Sequence, residues 1–536
     1  MDKTLELSKT LRRYWGYESF RPLQQEIVQC LLDGRDACVV MPTGVGKSLC
    51  YQLPAAMQAR RTVIVISPLI ALMQDQVAQL THMGIPSALL NSTLSANNQS
   101  KVMERARRGE FRLLYISPER LVRKETIEWL KQVPINFFAI DEAHCISEWG
   151  HEFRPEYRQL SSLRQHFPDR PIAAFTASAT QRVRHDIVEQ LKLRDSGKFI
   201  ASFHRPNLRY FAKECAKGTQ PGLLLRALRS YAGSNAIVYA PTIALVEETV
   251  TWLNEKGIAA MPYHGKMQSR ERRRNQERWM SDEVRVLVGT IAFGLGINKA
   301  AVRAVIHLAL PKSLEQYYQE AGRAGRDGQN ADCVLLWQKR DAGLLAHFIG
   351  EIKDEAEKER AWQRYHNIRD FAESKDCRHR RICAHFGENV KWAKCGACDA
   401  CGCKLDWLSG SEAIVLEQPK PKKKSKPALE TIRLVTAGRS FEEIAHRRGR
   451  KLSTVQSMVA ELVEFGQLDF DPAWIEPRKI TQIEAACARL GYERLTPLKE
   501  ALPEEITFGE IRLVVARLRT APKPAKVAAA AAGRAS

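Results

Sequence analysis

The fold of this chain follows from one stretch of sequence, Met41-Pro42-Thr43-Gly44-Val45-Gly46-Lys47-Ser48. It lies between an apolar run that predicts a buried strand (37–40) and a run that predicts a helix start (49–53). A glycine-containing loop in this position predicts a phosphate cradle, because its N–H groups converge and the helix N-terminus adds positive charge. Lys47 is expected to reach the β- and γ-phosphates, and the Ser48 hydroxyl to ligate Mg²⁺. The predicted nucleotide-binding residues are Thr43, Gly44, Val45, Gly46, Lys47 and Ser48.

A carboxylate pair, Asp141 and Glu142, comes directly after another apolar run at 137–140. A carboxylate at the end of a buried strand is poorly placed for stability alone. Beside a phosphate loop, Asp141 is expected to hold Mg²⁺, and Glu142 to orient and deprotonate the attacking water. The two motifs together predict that the chain binds ATP with Mg²⁺ and hydrolyses it.

Strand-like apolar runs alternate with amphipathic stretches in two successive sets along the chain. Such alternation predicts parallel sheets with helices on both faces and ligands at the carboxyl ends of the strands. The first set has predicted strands at 37–40, 62–67, 111–116, 137–140 and 172–175. The second set, which has no phosphate loop, has predicted strands at 236–239, 284–288 and 304–308.

The composition of the 536-residue chain restricts the kind of partner it has. A net charge of +21 favours a polyanion, most often nucleic acid, with a membrane surface as the alternative. No apolar run approaches the ~20 residues of a membrane span, and the first residues do not form a signal peptide. We therefore expect a soluble, intracellular protein that does not associate with membranes.

The run 319–328 carries two arginines, Arg323 and Arg326, among small residues. Small neighbours allow an arginine to approach a ligand held by another domain, where it neutralises charge on the γ-phosphate during transfer. A solvated basic turn is an equally good interpretation of this run taken alone.

Two aromatic segments have both a functional and a structural interpretation. In the segment 15–25, upstream of the phosphate loop, an aromatic, a cation and an amide are able to hold a nucleobase, although an amphipathic helix is the simpler interpretation. The segment 146–157 interleaves aromatic, basic and turn-forming residues, which favours a loop that stacks on unpaired bases over a plug in the core. The predicted nucleic-acid contacts in that loop are Trp149, His151, Phe153 and Arg154.

Together, these motifs resemble the RecQ family of superfamily 2 helicases. The matching segments are 20–24, 41–48, 67–73, 141–144, 149–155, 176–179, 263–265, 289–299 and 319–328. The resemblance implies two RecA-like domains that close around ATP, single-stranded DNA crossing both, and 3′ to 5′ translocation. It assigns Tyr17, Arg21 and Gln24 to the adenine, adds Gln319 to the nucleotide site, and gives His144 a role in linking hydrolysis to bound DNA.

A cysteine cluster near residue 400 predicts a metal site. The spacing C-x₂-C-x₂-C with a more distant fourth cysteine suits a tetrahedral Zn²⁺ site in a reducing compartment. The family resemblance implies that the ligands are Cys377, Cys395, Cys398 and Cys401. Cys383, His385 and Cys403 stay open as alternative ligands.

The C-terminal part departs from the best-known members of the family, which continue into a winged helix. Here a Lys- and Pro-rich stretch (418–427) precedes two predicted helices around a tight turn, which indicate a helix-turn-helix unit. The unit resembles one at the C-terminus of some bacterial RecQ-like helicases. Binding to DNA and binding to another protein are both alternatives for its function.

The predicted architecture is α/β, with two RecA-like parallel-sheet domains, a helical zinc-binding module and a small all-α C-terminal domain. The predicted boundaries are 1–205 and 206–340 for the RecA-like domains, 341–408 for the zinc-binding module, 409–429 for a basic linker, 430–519 for the helix-turn-helix domain and 520–536 for a disordered tail.

The expected function is an ATP-dependent 3′–5′ DNA helicase of repair, recombination and replication-fork processing, with ATP, Mg²⁺ and Zn²⁺ as cofactors. Its expected partners are single-stranded and forked or junction DNA, with single-strand-binding or repair proteins as further candidates, in the cytoplasm at the bacterial nucleoid. An RNA helicase and an ATP-gated nucleic-acid translocase or clamp with little strand separation are the alternatives.

Overall fold

Seven parallel strands form the first sheet, in the spatial order β3-β4-β2-β5-β6-β1-β7. They are β1 (Ala37–Val40), β2 (Thr62–Ile66), β3 (Ser87–Leu90), β4 (Leu113–Ile116), β5 (Ile135–Ile140), β6 (Ile172–Thr176) and β7 (Gly197–Ile200). The five strands predicted in this region are confirmed, and β3 and β7 are additional. Both additional strands lie at the sheet edges and alternate in exposure, so they lack the continuous apolar run by which a buried parallel strand is recognised.

The strand order brings the phosphate loop and the carboxylate pair to one end of this sheet. β6 lies between β1 and β5, with Val40 opposite Thr176 and Ile140 opposite Ala174. Because parallel strands end at the same edge, the residues that follow β1 and β5 face a common space. The helices of this region are α1 (Lys3–Trp15), α2 (Gln24–Leu32), α3 (Leu49–Met57), α4 (Ile70–His82), α5 (Ala96–Arg107), α6 (Pro118–Leu121), α7 (Lys124–Leu130), α8 (Pro155–Arg158), α9 (Leu163–His166) and α10 (Gln181–Gln190).

A second parallel sheet has six strands in the order β10-β11-β9-β12-β13-β8. They are β8 (Leu208–Glu214), β9 (Asn235–Tyr239), β10 (Ala260–Tyr263), β11 (Val286–Gly289), β12 (Val302–His307) and β13 (Ala331–Trp337). The helices are α11 (Gln220–Ser230), α12 (Ile243–Glu255), α13 (Ser269–Met280) and α14 (Leu314–Ala321). The three strands predicted in this region, which correspond to β9, β11 and β12, are confirmed.

Four helices and irregular loops follow the second sheet in the described part of the chain. They are α15 (Lys339–Gly350), α16 (Glu355–Glu373), α17 (Arg378–His385) and α18 (Asp406–Ser409). The chain divides into two compact units, Met1–Leu416 and Glu417–Ser536. The computed structural model describes residues 3–91, 94–150, 152–291, 299–409, 426–450, 452–464, 466–491 and 495–520.

The second unit is helical, with α19 (Lys426–Thr436), α20 (Phe441–Arg447), α21 (Leu452–Glu464), α22 (Pro477–Leu490), α23 (Leu495–Glu500) and α24 (Phe508–Thr520). The Ser440 hydroxyl caps α20 by accepting the Glu443 N–H at 3.2 Å. α21 carries a buried apolar stripe that includes Val455, Val459 and Val463, and it packs mainly on α24. The predicted fold class, with two RecA-like sheets, a zinc-binding module and an all-α C-terminal domain, is confirmed.

None of the helices in the described ranges combines the length and the apolar character that a membrane crossing needs.

Candidate active site and zinc centre

A cavity of about 820 Å³ opens where loops of the two sheets meet. It is lined by nearly all the predicted nucleotide and Mg²⁺ residues: Tyr17, Arg21, Gln24, Thr43, Gly44, Gly46, Lys47, Ser48, Asp141, Glu142, Gln319, Arg323 and Arg326. Val45 is the one predicted residue that does not line it, and its carbonyl oxygen instead accepts a hydrogen bond from Gln24. The structure therefore brings together residues that are up to about 300 positions apart in the sequence.

The phosphate loop has the backbone that its glycines predict. Gly44 and Gly46 have φ angles of +84° and +85°, a region that residues with a Cβ rarely adopt. A Cβ on Gly46 would also lie 2.6 Å from the Gln24 amide nitrogen. The loop leads directly into α3, and its residues line the same cavity as Leu49, the first residue of that helix, where a helix N-terminus favours an anion.

Three charged side chains meet at the centre of the cavity. The Lys47 ammonium lies 3.3 Å from the Asp141 carboxylate and 3.8 Å from that of Glu142. Although burial opposes it, these two carboxylates raise the pKa of Lys47. Burial raises the pKa of Glu142 to about 7, Lys47 opposes this shift, and Asp141 adds to it. Glu142 therefore has the pKa of a group that exchanges a proton near neutral pH.

The turn after α14 brings Arg323 and Arg326 to the opposite wall. Burial and the nearby guanidinium groups of Arg323 and Arg205 lower the pKa of Arg326, although an arginine so shifted is still a cation at neutral pH. Arg323 Nε is a buried donor without a hydrogen-bond partner among the described residues. Clustered buried cations are stabilised by an anion, so the site suits a polyphosphate better than a neutral ligand.

The three residues predicted to hold adenine line the cavity but differ in exposure. Tyr17 is 52% exposed, which fits a stacking platform and does not fit the alternative of a core-packing residue. Arg21 donates to the Gly44 carbonyl at 2.7 Å. The buried Gln24 amide donates to the carbonyls of Val45 and Gly46, while its oxygen accepts the Arg21 N–H. In this arrangement Gln24 binds the phosphate loop directly, so an adenine edge would have to compete for the same amide.

Gln319 contacts the end of β6. Its amide donates to the Ser178 hydroxyl at 2.9 Å. Thr176, on the same segment, contacts the His144 ring at 3.0 Å. Through these side chains, the carboxylate motif of the first sheet is connected to α14 of the second. α14 leads directly into the turn that carries Arg323 and Arg326 (the arginine turn).

Most of the aromatic segment lies between β5 and α8, as predicted for a loop, but its last residues, 155–157, belong to α8. Trp149 and Phe153 are each 36% exposed, so neither plugs the core. The Arg182 guanidinium lies 3.2 Å from the Trp149 ring centroid, and the Arg360 guanidinium lies 5.6 Å from it. Arg154 is half-buried and anchors the loop through its backbone N–H, while His151 lies outside the described residues.

Four sulfur atoms meet in the segment that follows the second sheet. The thiols of Cys377, Cys395, Cys398 and Cys401 all lie within 4.8 Å of one another. The 3.8 Å distance between the sulfurs of Cys395 and Cys401 matches the about 3.8 Å edge of a tetrahedral Zn²⁺–thiolate site. This set of donors fits structural zinc.

The alternative ligands lie elsewhere. His385 contacts the Glu315 carboxylate at 2.7 Å, Cys383 is buried beside Glu388, and Cys403 packs against the core of the second sheet. One neighbour of the cluster that the sequence did not indicate is His379, whose Nδ1 lies 3.1 Å from the Cys395 sulfur.

Four families match successive parts of the chain. They are the DEAD/DEAH box helicase at 21–187, the helicase conserved C-terminal domain at 220–328, the RecQ zinc-binding family at 339–402 and a helix-turn-helix domain at 427–515. The ATP-dependent DNA helicase RecQ of Haemophilus influenzae is 42% identical over 401 residues, which cover 75% of this chain and 64% of that protein. The chain belongs to the RecQ family. The predicted family resemblance is thereby confirmed, as is the zinc cofactor of its RecQ zinc-binding module.

A second RecQ-family relative gives the same result. The ATP-dependent DNA helicase RecQ of Bacillus subtilis is 40% identical over 398 residues, 73% of this chain and 66% of that protein. This chain thus matches just under two thirds of the length of either relative. The Saccharomyces cerevisiae Dbp5 structure bound to RNA and ADP BeF3 has a TM-score of 0.51 at 17% identity, covering 66% of this chain and 96% of that one. That likeness is one of fold.

Proposed function

We propose that this RecQ-family chain is an ATP-dependent 3′–5′ DNA helicase that acts on single-stranded and forked DNA in repair, recombination and replication-fork processing. The observation that supports this most is the single cavity that joins Lys47, the Asp141–Glu142 pair and the two arginines from separate sheets. A site divided between two domains links hydrolysis to domain movement, as translocation requires. The 3′–5′ direction and the cellular role rest on the family alone.

In this proposal each group has one task. Lys47 and the phosphate-loop N–H groups bind the β- and γ-phosphates, and Glu142 orients and deprotonates water. Arg323 and Arg326 stabilise the charge that develops on the transferred phosphoryl group. Ser48 and Asp141 would hold Mg²⁺, which neutralises phosphate charge when bound. Tyr17, Arg21, Gln24 and Gln319 would position the nucleotide.

The DNA contacts in this proposal come from the aromatic loop. Trp149 and Phe153 offer exposed rings for stacking, and Arg154, with His151, lies beside them in the sequence. Arg182 and Arg360, the cations beside Trp149, would contact the phosphate backbone of the DNA strand whose bases stack on the loop. We also propose the domain boundaries given by the sequence, a cytoplasmic location at the nucleoid, and single-strand-binding or repair proteins as candidate partners.

One experiment separates this function from its alternatives. ATP hydrolysis and strand separation are measured together on forked DNA duplexes with a 3′ or a 5′ tail, and on an RNA duplex of the same sequence. We expect hydrolysis stimulated by single-stranded DNA and unwinding from the 3′ tail. Stimulation without unwinding would support the clamp, and preference for RNA would support an RNA helicase.

A pH dependence follows from the burial of Glu142. Because a general base must be deprotonated, we expect kcat/KM for ATP to fall as the pH decreases through about 7. The corresponding decrease in kcat should occur at lower pH, because Mg²⁺ held by Asp141 would favour the ionised form of the neighbouring Glu142 carboxylate. Steady-state hydrolysis measured between about pH 5.5 and about pH 8.5, a range that spans this pKa, tests the expectation. A flat kcat/KM profile would contradict the assignment of the base.

The aromatic loop gives a second expected result. Trp149→Ala or Phe153→Ala should lower the stimulation of hydrolysis by DNA, by on the order of 10-fold, while basal hydrolysis changes little, since stacking contributes about 1–3 kcal/mol per base. Phe348→Ala is the matched control, because Phe348 is a 51% exposed aromatic on α15. Equal losses of basal and stimulated rates, with a lower melting temperature, would indicate a structural role.

A further inference from the structure

The segment that connects the two sheets is held by the zinc-binding part of the chain. This segment, the connector, consists of residues 201–207 and runs from the end of β7 to the start of β8. Glu388, just beyond α17, accepts hydrogen bonds from the Ser202 hydroxyl at 2.6 Å and the Phe203 N–H at 2.8 Å. The Phe203 ring stacks on Phe386 with 4.3 Å between centroids. The connector is therefore fixed along its first half by charge-assisted hydrogen bonds and an aromatic stack.

His379 joins the second half of the connector to the cysteine cluster. Its two ring nitrogens lie 3.1 Å from the Cys395 sulfur and 3.2 Å from the carbonyl oxygen of Arg205. The ring is almost fully buried, and it also contacts the ring of His204. One imidazole thus spans the distance between a zinc ligand and the connector backbone, in the manner of the outer-shell partners that orient metal ligands.

The Arg205 side chain extends from the connector into the cleft between the two sheets. Its guanidinium donates to the Thr43 carbonyl at 3.2 Å, in the phosphate loop. On the other side it donates to carbonyls of the arginine turn: Gly322 at 3.1 Å, Ala324 at 3.2 Å and Gly325 at 2.9 Å. A planar five-donor fork is the side chain suited to hold several carbonyls in fixed relative positions.

The carbonyls that Arg205 holds belong to the two loops that meet across the nucleotide cavity. The Thr43 hydroxyl also donates to Gly322, and a Cβ on Gly44 would lie 2.9 Å from Arg326. Arg323 and Arg326 lie within or directly after the stretch that Arg205 binds. Their alignment with Lys47 therefore depends on this guanidinium.

From these contacts we propose that Arg205 is a positioning residue for ATP hydrolysis, and that the zinc-binding module sets its place through His379 and Glu388. This inference rests on the proposed function. It gives the zinc-binding module a task beyond folding, which is to seat the connector so that Arg205 holds the arginine turn against the phosphate loop.

The test compares Arg205→Lys with Arg209→Lys. Arg209 is a matched control because it lies four residues further on, in β8, and pairs with Asp332, which is outside both loops. We expect Arg205→Lys to lower DNA-stimulated kcat by about 10²-fold, because misplacement of reacting groups has effects of that order. Nucleotide affinity, zinc content and melting temperature should stay close to those of the wild type.

A second readout does not depend on turnover. Hydrogen–deuterium exchange should increase in 201–207 and 322–325 in both Arg205→Lys and His379→Gln, while one zinc per chain is retained. If Arg205→Lys does not fold, Glu388→Gln tests the same inference, because it weakens the contact between the zinc-binding module and residues 201–207. Wild-type turnover and exchange in these variants, or equal losses in Arg209→Lys, would overturn the inference. A wild type without DNA-stimulated hydrolysis would instead refute the proposed function.

Discussion

Replacing Lys47 by alanine is expected to abolish DNA-stimulated ATP hydrolysis, with kcat/KM lowered by on the order of 10³-fold. The ammonium lies between Asp141 and Glu142, at the centre of the cavity where the phosphates would bind. No other lysine lines that cavity among the described residues. Removing it also leaves two carboxylates near each other without their cation, which disfavours a polyphosphate further.

Glu142→Gln tests the chemistry of the same site separately from binding. The amide retains the size of the side chain but accepts no proton from water, so kcat should fall by about 10²–10⁴-fold while nucleotide still binds. Single-stranded DNA binding should persist in both variants, because neither residue belongs to the aromatic loop. Glu189→Gln, on the exposed face of α10, is the control for the loss of a carboxylate. Normal hydrolysis by Glu142→Gln would show that another group is the base.

The centre of the site could be predicted from sequence because its chemistry is local. Gly44 and Gly46 need their glycine backbone, and Lys47 and Ser48 follow them directly, so a short motif identifies the loop. Asp141 and Glu142 were recognisable because carboxylates end a buried strand. The five strands predicted in the first sheet and β9, β11 and β12 of the second were recognisable for a similar reason, since each is a short apolar run, whereas the fully buried β13 was not predicted.

Residues whose role depends on long-range contacts could not be predicted in this way. Arg205 has no local signature, and it acquires its partners only when segments about 120 to 160 residues away come to it. His379 looks like one more polar residue of a basic helix until the fold places it against Cys395. The cations around Trp149 come from α10 and α16, which are far apart in sequence. A single sequence contains no record of such tertiary neighbours.

Gln24 shows a subtler difference between pattern and structure. Its position upstream of the phosphate loop indicates adenine recognition, yet its amide hydrogen bonds to that loop. Both interpretations are compatible with one physical role. If the Gln24 amide leaves the loop carbonyls to hydrogen bond with adenine, nucleotide binding changes the contacts of the phosphate loop.

The zinc centre provides the second large expected effect. Cys398→Ser should release the zinc and lower the melting temperature of the chain by on the order of 5–10 °C, because structural zinc contributes directly to folding. Cys398 is fully buried, accepts the Arg378 N–H at 3.4 Å and forms a bridge with Tyr210 of β8. Loss of the metal should therefore loosen the contact between the zinc-binding module and the second sheet as well as the module itself.

Cys403→Ser is the matched control, since Cys403 follows the cluster closely in sequence but packs against the core of the second sheet. Metal analysis should find one zinc per chain in the wild type and in Cys403→Ser, and none in Cys398→Ser. Thermal unfolding of all three proteins then measures the contribution of the metal. A wild type without zinc, or a Cys398→Ser protein that retains it, would refute the four-cysteine site. Zinc loss in Cys403→Ser alone would place the fourth ligand there, contrary to the geometry of the cluster.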